Sequence, residues 1–404
     1  MKHQHIVVIG GGASGLLSAI IARRHHALVT IIERNPKLGK KILATGNGRC
    51  NYTNQQTQAE HYNHPAFVEH ALDVFGAQKT IQFFEKLGIS PRIEDLGKAY
   101  PMSEQASSIV DVLVYEVEQL GIKVMCNTKV VSVKKRQDIF VSTLSDGQMI
   151  ESDRVILATG GKAMPGSGSD GNGYQIAESF GHSMTTLFPS LVKLKLSSPY
   201  LKQMDGVKIQ GTVQLLDQNQ VIQTEKGDIL FTSYGISGPT ILQISRKANE
   251  MLSEHQDVRL KVIMLDQWTK DDIERRFSLM QDKPLDISLV GLVHKKIIPA
   301  IIKEAGIHQP TIRFSQLTTK EKSKLANLML DWRFTVTDSK GYEDAQVTAG
   351  GIHIDEINPK TMESYLVKGL YMTGEILDID GLCGGYNLQW AWSSAYLAGK
   401  HASI

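Results

Sequence analysis

Residues 6–9 form a continuous apolar run, the pattern of a strand covered on both faces. A glycine turn follows. Apolar positions three and four apart then predict a helix over 14–26, and a second apolar run at 28–32 ends in Glu33. Strand, helix and strand in that order open a βαβ unit. Residues 34–65 are polar and rich in Gly, Asn, Thr and Gln, long for a connection inside a compact domain, and read as a ligand-contacting segment. Helical spacing returns over 67–87, through Val68, Leu72, Phe75, Ile81, Phe84 and Leu87, and over 103–120, where it stops at Gly121. The runs 123–126, 129–134 and 139–143 with Ile150 predict a strand and an antiparallel meander turning at Asp146-Gly147. An apolar strand at 155–158 then enters Thr159-Gly160-Gly161.

After Ser190 the texture changes to short alternating runs at 192–196, 207–216, 221–224, 228–232 and 258–265, which predict a small β-domain. Residues 269–330 are helical by pattern, most clearly over 287–305 and 319–330. Strand texture resumes over 336–352, a further strand enters glycine at 369–374, and a last helix is expected over 387–401. There are no internal repeats.

Composition narrows the function classes. A chain of 404 residues allows two or three domains. Its 44 Lys and Arg against 42 Asp and Glu give a net charge of +2 with no like-charge block, so no nucleic-acid partner is expected. Cys50, Cys126 and Cys383 lie too far apart for a CxxC pair or a zinc knuckle and suit a reducing cytosol, the histidines are scattered, and no metal is expected. The opening residues read as a buried strand rather than a signal peptide, and no run of about 18 apolar residues occurs. The expected location is the cytoplasm, without a membrane partner.

Glycine carries the candidate chemistry, in clusters at 10–15, 46–48, 160–173 and 374–385. Gly10-Gly11-Gly12-Ala13-Ser14-Gly15 fits G-x-G-x-x-G between a predicted strand and helix, and Glu33 ends the next strand. Gly10 permits the tight turn, Gly12 lets a pyrophosphate approach the backbone, and Gly15 lets helix and strand pack closely. Free N–H groups at the helix start favour a diphosphate, while Glu33 can bind a ribose and disfavours a 2′-phosphate. Gly166-Ser167-Gly168-Ser169-Asp170-Gly171 matches the same pattern. However, Pro165 precedes it, the helix expected at 174–180 is short and no acid ends the next strand, so it reads as a loop folding against the cofactor or covering the site rather than a second nucleotide site.

The strand into Thr159-Gly160-Gly161 and the late Gly374-Glu375 with Asp378 resemble two-dinucleotide flavoproteins, which implies FAD. A longer signature points the same way: Gly39-Lys40-Lys41-Ile42-Leu43-Ala44-Thr45-Gly46-Asn47-Gly48-Arg49-Cys50-Asn51-Tyr52-Thr53-Asn54, Phe231-Thr232-Ser233-Tyr234-Gly235-Ile236-Ser237-Gly238-Pro239, Thr348-Ala349-Gly350-Gly351-Ile352, and Gly384-Gly385-Tyr386-Asn387-Leu388-Gln389-Trp390-Ala391. The chain resembles the bacterial three-domain NAD(P)/FAD-dependent oxidoreductase flavoproteins, a family with aminoacetone-oxidase-like and bile-acid-reductase-like members. The resemblance implies an α/β fold: a discontinuous Rossmann-like FAD domain over 1–190 and 345–404, and an inserted β-barrel-like domain over 191–268 and 331–344 carrying a helical subdomain at 269–330. It implies that Gly10, Gly12, Ala13, Ser14, Gly15, Glu33 and Arg34 hold the adenosine diphosphate half. Lys40, Lys41, Thr45, Gly46, Asn47, Gly48 and Arg49 would lie near the pyrophosphate and flavin, and Val131 at the adenine. Ala158, Thr159, Gly160 and Gly161 would touch the cofactor, and Gly374, Glu375, Asp378, Gly385, Tyr386 and Asn387 would line the flavin.

Because flavin performs the hydride chemistry, the protein's task is to position substrate and tune the ring. Arg49, Cys50 and Tyr386 are the catalytic candidates. Arg49 beside Cys50 would favour a thiolate, although a free cysteine is more often packed. Trp390 and Trp392, two apart, cannot share one helix face. The expected activity is hydride transfer between a small organic substrate and FAD, with NAD(P)H or oxygen as the other redox partner. The alternatives are a flavin-dependent RNA-modifying protein and a redox sensor using Cys50.

Overall fold

A computed structural model describes residues 4–404, and the chain divides into two compact units. One comprises the chain up to Pro189 together with Ala345–Ile404; the other is Ser190–Asp344.

The first unit is built on a five-stranded parallel sheet in the order Leu370–Met372, Arg154–Leu157, His5–Ile9, Leu28–Ile32, Lys123–Met125. The apolar runs belong here because both faces of the sheet are covered: Ile6, Val7, Val8, Val155, Ile156 and Leu157 are wholly buried. Ile9 pairs with Leu157 on one side and Ile32 on the other, so the carboxyl ends of three strands align. In open parallel sheets that edge is where ligands bind. The first helix, Ala13–Arg24, lies against the last, Tyr386–Ala402. The two backbones approach so closely that a Cβ on Gly399 would stand 2.4 Å from the Ser18 carbonyl oxygen. Trp390 and Trp392 are both core residues, donating their indole N–H to Gly374 O at 3.1 Å and Tyr52 O at 2.8 Å. The meander forms a separate antiparallel sheet of Val130–Arg136, Ile139–Leu144 and Met149–Ser152.

The expected helix over 67–87 is two helices, Pro65–Phe75 and Ala77–Lys86. Gly76 is extended (ψ −172°), ending one and starting the next, a break that the apolar spacing does not register.

The second unit is a closed antiparallel barrel in the order Leu194–Ser197, Gly235–Ser237, Gln220–Thr232, Lys208–Asp217, Val258–Ile263, Trp332–Ser339. Its long hairpin turns through Gln218 and Asn219, both left-handed (φ 45° and 77°), the backbone that two-residue hairpin loops use. Phe231, Trp332 and Phe334 fill the interior. A helix over Pro239–Ser253 went unread; its buried Ile241, Ile244, Ala248 and Met251 carry the helical spacing, and Pro239 starts its first turn. The expected helix over 287–305 is instead Leu285–Leu289 and Ile298–Glu304, separated where Gly291 takes φ +83° and with Pro299 in the first turn of the second piece. Thr319–Leu330 forms as expected, opened by a Thr318–Glu321 capping box.

Among the described residues, no helix is long and apolar enough to cross a membrane, and no group of His, Cys, Asp or Glu could hold a metal ion.

Candidate active site

The turn at Gly10–Gly15 accounts for Gly10, Gly12 and Gly15. Gly10 has φ +105°, and a Cβ there would lie 2.4 Å from Ala158 O. A Cβ on Gly15 would lie 1.8 Å from Gly10 O. By contrast, a Cβ on Gly12 would meet nothing within 4 Å, so there is open space at the position a diphosphate would approach. The first helix starts at Ala13 with Gly12 as N-cap, no side-chain cap and no acid in its first turn. The backbone N–H groups of Ala13, Ser14 and Gly15 are therefore available to an anion, an arrangement worth about 0.3–1 kcal/mol from the helix dipole alone.

Glu33 is buried and organised by backbone. One carboxylate oxygen accepts Gly11 N–H at 2.7 Å; the other accepts the Asn35 backbone and side-chain N–H groups, each at 2.7 Å. A carboxylate has about four acceptor positions, which leaves one for a ribose hydroxyl. Val131 falls at the bulge between Val130 and Ser132, without a partner in the ladder, and its side chain is half exposed. An unpaired bulge residue keeps its peptide groups free for another use.

The second glycine motif closes over this same end. Arg34 pairs with Asp170 and reaches Gly168 O at 3.4 Å, Asn35 donates to Ser167 O at 2.8 Å, and Asn172 donates to Val130 O at 3.2 Å. Burial pushes the Asp170 carboxyl up, but Arg34 and the Asn172 N–H outweigh it and hold it below the usual aspartate range. Its helix, Asn172–Glu178, is a short one starting two residues earlier than expected. Residues 165–172 thus clasp the Glu33–Asn35 turn.

At the other end the C-terminal helix also starts without a side-chain cap, from Gly385 at φ +98°. A Cβ on Gly385 would strike Thr53 O at 2.6 Å and Asn51 Oδ1 at 2.9 Å, so glycine is required to seat the helix on the 51–54 segment. Asn51 Oδ1 and, by the second strand turn, Thr159 Oγ1 are buried without hydrogen-bond partners. Buried orphan polar atoms beside two uncapped helix starts fit a polar, anionic, elongated cofactor, and FAD is such a group.

Several cofactor candidates are also bonded within the protein. Lys41 is ion-paired with Glu375 at 2.6 Å, and the other Glu375 oxygen accepts Thr348 N–H at 2.9 Å. Asp378 accepts from Asn63 at 3.1 Å and lies 3.4 Å from His64 Nε2. Asn387 bonds both peptide groups of Gly381 at 2.9 Å. These contacts tie the 40s loop, the returning chain and the C-terminal helix together. Lys40, Asn47 and Gly48 are exposed, whereas Gly160, Gly161 and Gly374 pack tightly against Ser169, Thr348 and Ser14. Ala158 is buried, and Thr45 Oγ1 donates to Ile42 O at 2.6 Å.

Of the catalytic candidates, Arg49 lies over the Tyr100 ring at 4.2 Å and pairs with Glu94 and Glu104, so its charge is neutralised internally. Cys50 is wholly buried and burial pushes its thiol up to about 12, the opposite of the thiolate that Arg49 was expected to favour. None of the three cysteines is in a disulfide. Tyr386 retains its proton because burial raises it, and its ring packs on His61 at 4.6 Å. His61 was not singled out in the sequence; its only signal was membership of the polar stretch 34–65. Its Nδ1 faces the Gln58 backbone N–H at 3.1 Å, which leaves the proton of the neutral ring on Nε2.

A family model described as the HI0933-like protein Rossmann domain matches residues 4–401. A 3-dehydro-bile acid delta(4,6)-reductase from Clostridium scindens is 39% identical over 406 residues, covering 98% of each chain. Ribosomal RNA dihydrouridine synthases from Haemophilus influenzae and Escherichia coli are 34% and 32% identical, each over 98% of this chain and 97% of the relative. Among solved structures, the 3-ketosteroid-delta4-(5alpha)-dehydrogenase of Rhodococcus jostii RHA1 matches with TM-score 0.50 at 15% identity, over 99% of this chain and 97% of that one, a likeness of fold. The chain's architecture is that of flavoprotein oxidoreductases.

Proposed function

Because the chain belongs to the HI0933-like Rossmann family, we propose that it is an FAD-dependent reductase of a carbon–carbon double bond conjugated with a carbonyl group. The observation that carries the reading is the full-length similarity to relatives with two different named substrates. A 3-dehydro-Δ4,6 bile acid bears a double bond conjugated with its 3-oxo group, and uridine bears one conjugated with a ring carbonyl. Saturating either takes a hydride at the far carbon and a proton at the carbon next to the carbonyl.

FAD, when bound, would supply the hydride chemistry, with NAD(P)H as the electron source. The residues of this chain do the remainder. The uncapped start of the C-terminal helix would offer backbone N–H groups to a negatively charged part of the cofactor. The Lys41–Glu375 and His64–Asp378 pairs fix the loops around it. His61, its ring held against Tyr386, would give a proton from Nε2 as the imidazolium and be left neutral, at the mouth of that helix. Arg49 and Cys50 shape the flavin-side loop rather than react. The buried thiol and internally paired guanidinium weigh against the redox-sensor alternative.

Anaerobic flavin absorbance tests the reading. Protein reduced with NADH or NADPH should be reoxidised by a conjugated enone and not by the corresponding saturated ketone. Rapid reoxidation by oxygen alone would favour an oxidase and defeat it. The RNA dihydrouridine synthase relatives favour a second substrate for the same chemistry, uridine within RNA, read out as dihydrouridine formation.

A further inference from the structure

Charge is unevenly distributed within Ser190–Asp344. Over the barrel, cations are matched to acids: Lys193 with Asp344, Lys195 with Asp338, Lys208 with Asp228 and Lys226 with Asp266. The helical segment 283–324 is different. It carries eight Lys and Arg against three Asp and Glu. Among the described residues, Lys283, Lys295, Lys303, Arg313, Lys320 and Lys324 have no acidic partner within 4.0 Å, and all six are exposed. Two of the three acids are committed to the backbone: Asp286 accepts Ile287 N–H at 2.8 Å, and Glu321 closes the capping box with Thr318.

These cations are neighbours. Lys320 and Lys324 stand one turn apart on the helix Thr319–Leu330. The Lys324 ammonium lies 3.9 Å from where a side chain at Gly306 would begin, just beyond Lys303 at the end of the helix Ile298–Glu304. Lys322 lies over the Phe314 ring at 5.4 Å, beside Arg313, and the Pro284–Arg313 bridge brings Lys283 alongside. Unpaired like charges held together cost stability unless a polyanion meets them.

We propose that this face, centred on Lys303, Lys320 and Lys324, is a docking surface for the phosphate backbone of RNA. The choice of RNA rests on the second substrate of the conjugated-alkene reading; the surface itself rests on charge and geometry. A membrane fits less well, because the exposed positions of the helix Thr319–Leu330 are Thr319, Lys320, Lys324 and Asn327, none of them apolar, while the exposed apolar Ile287 and Val290 lie on the separate helix Leu285–Leu289 and its end. Phosphate contacts set affinity without reading sequence, so the face would hold a structured RNA while specificity lies elsewhere.

The test uses the flavin-loaded full chain and a fluorescein-labelled ribosomal RNA stem-loop, with binding followed by anisotropy from about 50 to about 200 mM salt. Affinity should fall steeply with salt. Combined Lys303→Ala, Lys320→Ala and Lys324→Ala should weaken binding at least about tenfold and flatten the salt slope by about three, one per lost phosphate contact. Lys195→Ala with Lys226→Ala, taken from ion pairs on the barrel, should change affinity less than about twofold. RNA should also protect Lys303, Lys320 and Lys324 of the unsubstituted protein from acetylation, a readout independent of how the variants fold. Absence of RNA binding at low salt, a triple variant that binds as well as the parent, or binding to phosphatidylglycerol vesicles in place of RNA would each overturn the proposal. Failure of the enone reaction alone would leave these binding outcomes unaltered, so the two ideas can fall separately.

Discussion

The segments 10–15 and 166–171 share one glycine pattern and do opposite jobs. The first sits where three parallel strands end together, leads into a twelve-residue helix with a free amino end, and leaves open space at Gly12. The second has a Pro165–Ser167 turn in place of a strand, leads into a seven-residue helix, and spends its polar groups on Arg34, Asn35 and Val130. One turn leaves free N–H groups and open space, and the other packs over the Glu33–Asn35 turn beside it. The difference lies in what flanks the glycines.

Substitutions should separate the two in a graded series. Gly15→Ala is expected to be the most damaging, because its Cβ would overlap Gly10 O at 1.8 Å; overpacking of that kind costs on the order of 3 kcal/mol, and flavin content after purification should collapse. Glu33→Ala strands the buried N–H of Gly11 and the part-buried N–H of Asn35, at about 1–3 kcal/mol for the buried group, and should lower both the melting temperature and FAD affinity. Asp170→Asn removes a partly exposed pair with Arg34, so titration of apoprotein should show FAD affinity only a few-fold weaker. Because the folded-state pKa of Asp170 is depressed, the clasp's contribution is complete above the ordinary aspartate pKa and is lost as pH falls through the lower folded value. FAD affinity of the parent should therefore drop below that range, and that of Asp170→Asn should drop less. Gly166→Ala, with nothing within 4 Å of the new carbon, should shift stability by less than about 0.5 kcal/mol in a denaturant melt. Equal damage at Gly15 and Gly166 would erase the distinction between the two turns.

Much of the first unit was legible from local pattern. The doubly buried strands, the helix after Gly12 and the C-terminal helix each carry a periodic or glycine signal that tertiary packing does not override. What escaped depends on contacts remote in sequence. Nothing local to Cys50 and Arg49 indicates that the thiol is sealed in the core or that Glu94 and Glu104 neutralise the guanidinium. Glu375, Asp378 and Asn387 also bond to Lys41, Thr348, Asn63 and Gly381, and all of these partners but Gly381 are remote in sequence. His61 lay inside a segment read only as polar. The unpaired cations at 283–324 are hidden by averaging, since a net charge of +2 for the whole chain says nothing about one face.

The most direct test of the reductase reading is anaerobic stopped-flow mixing of the nicotinamide-reduced, FAD-loaded protein with a 3-oxo-Δ4,6 steroid. The account predicts that flavin absorbance returns in step with loss of the enone chromophore, and that the saturated 3-oxo steroid leaves the flavin reduced. A flavin that stays reduced with the steroid and with uridine-containing RNA, and regains its absorbance only when oxygen is admitted, would contradict it.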